Sequence, residues 1–166
     1  LWKYLRLRPS NFPVIRIVQF AQLIHQSSHL LSKILDNLHY SEIINMFDLK
    51  ASEYWNDHYE FDQLSVCEEK HLGKPSVDNI IINTIVPFVF VYGNHKGDEY
   101  LKTSAVELLR AVSAESNNIV KQWQSYGFPI TTAFESQAVL ELKKNSCDKK
   151  QCINCSIGLK LLNRHD

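Results

Sequence analysis

Residues 77–92 read VDNIIINTIVPFVFVY, running from Val77 to Tyr92, and the secondary structure of this stretch decides the fold. Ile and Val dominate it, which by propensity favours a strand. Pro87 argues the other way, because it removes a ladder donor from the middle of the run. The run is also far longer than an ordinary strand of about 5–6 residues. A buried helix, apolar all round and kinked at Pro87, satisfies both constraints.

Helical periodicity continues on either side. Upstream, Val14, Ile17, Phe20, Ala21 and Ile24 follow the i, i+3, i+4, i+7 rule. They predict an amphipathic helix over 13–26, opened by Pro13. Leu30, Leu31, Ile34, Leu35 and Leu38 repeat the pattern after Ser27-Ser28, a plausible cap, and Ile43, Ile44, Phe47 and Leu49 predict a third helix. The aromatic stretch Tyr54 to Phe61 reads as one or two further turns. Residues 62–76, with Gly73 and Pro75, read as the longest loop. Downstream, stripes predict helices over 98–114, 119–126 and 132–144, and Ile153, Ile157 and Leu161 predict a last one over 152–162. The expected architecture is all-α, a single-domain bundle of seven or eight helices over residues 1–166.

The chain has 166 residues, 45% hydrophobic and 22% charged, which suits one globular domain with a real core and excludes a fibre. No unbroken apolar run reaches the roughly 18 residues of a membrane span, so no membrane contact is expected. Four cysteines in this length do not make a disulfide framework, which points to a reducing, cytoplasmic setting. The chain starts at Leu1 and reads as the C-terminal part of a longer one. There is no phosphate-binding glycine loop, no nucleophile elbow and no nucleophile beside a recognisable base. A non-enzymatic role is therefore expected for this chain on its own.

Charge is zero overall but unevenly spread. Residues 1–16 carry four basic groups and no acid, whereas residues 17–140 carry eight basic and fifteen acidic groups. Arg6, Arg8 and Arg16 make the opening a candidate site for an anion, nucleic acid included. Ion pairing of these arginines to the acidic middle explains the same charges. At the other end, Cys147, Cys152 and Cys155 fall within nine residues as C-x4-C-x2-C. Short spacing brings sulfurs together for a metal or for thiol chemistry. With His165 or Cys67 as a fourth ligand, the set suits zinc. The same spacing with a distant fourth cysteine is that of one iron–sulfur class. A helix over 152–162 places Cys152 and Cys155 on one face. Cysteines that merely pack fit the spacing as well.

Several motifs taken together carry a resemblance. They are the opening from Arg6 to Arg16, Asn83-Thr84 with Pro87, Tyr92-Gly93, Ser136-Gln137, and the cysteines followed by Ile157-Gly158. In these the chain resembles the C-terminal half of a bacterial family, domain of unknown function 2851. The resemblance implies an N-terminal half with a restriction-endonuclease-type core lying outside this chain. It implies for the present piece an accessory helical domain that docks on that N-terminal domain or supplies nucleic-acid contacts to it, so that its partners are that domain and nucleic acid.

Overall fold

The computed structural model describes residues 7, 8 and 11–162. Arg6 and His165 lie outside the described residues. The chain is mostly helical, with eight helices and one small hairpin among the described residues. Two compact units divide it, residues 1–104 and 105–166.

In the first unit, α1 (Pro13–Gln26) starts with Pro13, whose fixed φ suits a first helical turn. The buried residues of α1 are Val14, Ile15, Gln19 and Leu23. Val14 and Ile15 form a core cluster with Ala51 and Trp55, flanked by Phe12, Val18 and Tyr59. This corrects the expected stripe. Ile17, Phe20 and Ile24 are 53%, 61% and 55% exposed, on the opposite side. Helices α2 (Leu30–Asp36) and α3 (Tyr40–Met46) follow. Ser27 closes α1 rather than opening α2, which begins at His29 in a left-handed conformation.

The aromatic stretch is only partly helical. A 3-10 turn, Glu53–Asn56, leads into β1 (His58–Glu60), which pairs antiparallel with β2 (Gln63–Leu64). The segment expected to be a long loop is thus partly a strand, and it is tied down further along. Ala51 donates to the Lys70 carbonyl at 3.1 Å and Leu72 to the Leu49 carbonyl at 2.8 Å. Lys70 itself is buried. Its Nζ donates to the carbonyls of Asn56 (2.8 Å) and Glu68 (3.2 Å) and lies 4.1 Å from the centre of the Tyr59 ring. Two carbonyls and an aromatic face thereby stand in for water around the ammonium.

The deciding stretch is helical. It lies within α4, a 23-residue helix, Lys74–Lys96, that is long and apolar enough to cross a membrane by length and composition. Its Val77, Ile81, Ile82, Ile85, Val86, Val89 and Gly93 are buried in the fold. Proline lacks the N–H of the regular ladder, and its ring crowds the carbonyl four residues back, here that of Asn83. The helix relieves this by widening to a π turn over Ile81–Ile85, where Val86 donates to the Ile81 carbonyl. Near its end, α4 comes very close to α5 (Glu99–Ala111). A Cβ on Gly93 would sit 2.9 Å from the Leu101 Cβ, so only glycine fits there without displacement.

The second unit holds α6 (Asn118–Ser125), α7 (Ala133–Leu142) and α8 (Ser156–Leu162). Ala105, Leu108, Val112, Val120, Ile130 and Ala133 are its buried apolar residues. Polar side chains organise the helix starts. Asn117 accepts from the Val120 N–H, and Thr132 with Glu135 forms a reciprocal capping box. Ser136, fully buried, accepts from the Glu115 N–H at 3.3 Å, and Gln137 donates to the Glu115 carboxylate.

Candidate functional site

The three clustered cysteines border one cavity in the second unit. Beyond α7 the backbone loosens into a π turn, Lys143–Cys147, reverses through Lys150 at a φ of 53°, and enters a 3-10 turn, Cys152–Asn154. Hydrogen bonds stitch the reversal: Lys150 N–H to the Cys147 carbonyl at 3.0 Å, and Gln151 N–H to that of Ser146 at 2.9 Å. The helix expected over 152–162 begins only at Ser156, and Cys155 is extended, with φ −106° and ψ 127°. The reason is steric and topological. A Cβ on Gly158 would lie 2.2 Å from the Cys152 carbonyl oxygen, so the start of α8 is folded back hard against that peptide. In one continuous helix those residues would be about 9 Å apart along the axis.

Cys147, Cys152 and Cys155 line one cavity of about 220 Å³ with Trp123, Leu142, Ser146, Ile157, Gly158 and Leu161. Trp123 is half-buried at this cavity and meets Phe128 edge-on with ring centroids 5.0 Å apart. All four cysteines are free thiols; Cys147 and Cys152 are exposed and Cys155 is half-buried. Around them, Lys143 donates to Asp148, and that hydrogen bond holds its ammonium above the ordinary lysine range. Lys149 donates to Asn145 Oδ1 at 2.7 Å. Cys67 belongs to the first unit. Among the described residues, no group of three or more His, Cys, Asp or Glu side chains is placed to hold a metal ion.

The arginine corner lies in the first unit. Arg8 is exposed. Arg16, half-buried on α1, donates from Nη1 to Gln19 Oε1 (2.9 Å) and from Nη2 to Asn11 Oδ1 (2.6 Å) and Ser76 Oγ (2.9 Å). It thus clamps the start of α1 to the first turn of α4. Burial pushes its guanidinium below the ordinary arginine value. Of the three arginines singled out, the structure places Arg8 at the surface and Arg16 in this clamp.

A third feature is the row Ile17, Phe20 and Ile24, which periodicity picks out as a core stripe and which faces outward. Residues at i, i+3 and i+7 share one side of a helix, so these form a continuous apolar strip along α1. In the same unit Leu30, Leu31, Ile34, Thr84, Ile85, Phe88 and Val89 line an apolar cavity of about 240 Å³. The signal was in the sequence, since α1 carries more apolar residues than one face can hold.

A family model described as "Protein of unknown function (DUF2851)" matches residues 1–118. That span contains α1 and the arginine corner and stops short of the three cysteines around the cavity. No curated protein and no solved structure matches the chain.

Proposed function

The chain belongs to the DUF2851 family, and we propose that it is a non-catalytic, cytoplasmic helical domain that docks through the outer face of α1 on a nuclease-like N-terminal domain. The observation that carries this reading is the exposed strip Ile17, Phe20 and Ile24. A helix buried on one side and apolar on the other leaves a patch in water that burial against a partner would relieve. Fully covering an Ile or Phe side chain is worth about 1.5–3 kcal/mol each. The apolar character of the strip favours a protein partner over direct nucleic-acid contact, whose surfaces are polar and strongly basic.

The test is a calorimetric titration of this chain into the separately purified N-terminal domain. Saturable binding is expected, weakened about tenfold or more by Phe20→Asp, as for a lost interface anchor. No heat of binding with either protein sinks the reading. Short duplex DNA titrated across a salt series is the second arm. Salt-dependent binding to DNA alone would transfer the role to nucleic-acid contact.

One observation favours a second reading, a module built on thiols: the convergence of Cys147, Cys152 and Cys155 on a single cavity. Such a module would work through thiol redox chemistry, or would hold zinc or an iron–sulfur cluster only if the three side chains drew closer than they stand and a further ligand came from elsewhere. Elemental analysis and a visible spectrum of anaerobically purified protein separate these. Substoichiometric metal with freely titrating thiols removes the metal forms.

A further inference from the structure

Arg16 is the one charged residue lining a cavity of about 420 Å³ in the first unit, together with Leu72, Pro75, Ser76, Asn79 and Ile80. The basic opening could have been neutralised by the acidic middle of the chain, but at Arg16 it is not. Gln19, Asn11 and Ser76, its hydrogen-bond partners, are all neutral. Among the described residues no carboxylate lies within ion-pair distance of it. A half-buried charge is ordinarily paired, so its counter-charge is left to come from outside the fold.

Donors are available to receive one. A guanidinium has five N–H groups, and three are engaged here. The Ser76 hydroxyl accepts from Arg16 and keeps its own hydrogen to give. The side-chain amide of Asn79, exposed at the rim, makes no hydrogen bond within the described fold. A charged donor, a hydroxyl and an amide therefore border one opening that contains no acid. Three donor groups at separate points suit a tetrahedral oxyanion better than a planar carboxylate, and the space exceeds what a carboxylate needs.

We propose that this cavity binds a phosphate group, held by Arg16 with Ser76 and Asn79. The assignment rests on the arginine corner alone, so it stands or falls independently of docking through α1. A phosphate group can come from a small phosphorylated molecule or from a nucleic-acid backbone, and the chemistry of recognition is shared.

An amide NMR titration with inorganic phosphate, against chloride at matched ionic strength, tests it. Saturable shifts confined to the neighbourhood of Arg16, Ser76 and Asn79 are expected. Arg16→Gln should abolish them. Because Arg16 also clamps two helices, Asn79→Asp is the second variant. Its site is exposed, so the spectrum should stay dispersed while phosphate affinity falls about tenfold, or ~1.4 kcal/mol, from the added negative charge. Equal shifts with acetate, no saturation, or unchanged affinity in Asn79→Asp would overturn the proposal. A single-stranded oligonucleotide that moves the same resonances and competes with phosphate identifies the backbone as the source. One that leaves them unmoved while phosphate shifts them identifies a small phosphorylated ligand.

Discussion

Glu135 shows how a single half-buried side chain can carry pH dependence. Its carboxylate accepts from the backbone N–H groups of Thr131 (2.7 Å) and Thr132 (2.9 Å). Those donors, that of Thr131 foremost, lower its pKa from 4.5 to about 2. Because the folded value lies below the unfolded one, the stabilisation is complete above the ordinary carboxylate range and fades as pH falls from 4.5 toward 2. Thermal melts of Glu135→Gln and the parent protein should therefore differ at neutral pH and converge toward pH 2. Gly158 makes a second residue-scale case. Alanine in an open helix is favoured over glycine by roughly 1 kcal/mol. At this position its Cβ would strike the Cys152 peptide, so Gly158→Ala should instead destabilise by about 1–3 kcal/mol in a denaturant titration.

At the scale of the element, α1 is a helix with a choice of faces. Regular spacing picks out Ile17, Phe20 and Ile24 as readily as it picks a core stripe, and the surroundings reverse that choice. Gln19 lies inside because its amide reaches the Lys70 carbonyl at 3.2 Å and its oxygen receives Arg16. Once Gln19 is turned inward, Ile15 and Leu23 follow it one turn to either side. Ile15→Ala is then expected to cost about 2–5 kcal/mol by chemical denaturation, as a fully buried site does. Ile17→Lys should change stability by no more than about 0.5 kcal/mol. The reverse ranking would mean that α1 is rotated about its axis. In α4, by contrast, the composition around Pro87 sufficed to reject a strand; a kink was expected at Pro87, and the helix widens into a π turn just before it, over Ile81–Ile85.

For the whole molecule, what could be read in advance was what local chemistry decides. Helix positions follow from spacing and caps, and the all-α class follows from them. Contacts between distant residues were not legible, and these set the hairpin after Trp55, the tie of Leu49 and Ala51 to residues 70–72, and the inward face of α1. At the cysteines the cluster was visible, but the break in the last helix was not. It depends on Gly158 pressing against a peptide six residues earlier. The arginines were visible as charge, and that the partners of Arg16 would all be neutral was not.

Lys70 turns the first unit into its own reporter. With its amine wrapped by two main-chain oxygens and the Tyr59 ring, an acylating reagent added to native protein should modify exposed amines such as Lys50 and bypass this one. Peptide mass spectrometry after brief labelling in rising urea would then time the opening of the 56–70 segment by the moment Lys70 acquires its tag. Early tagging, at the rate of Lys50, would show that the segment breathes freely under native conditions.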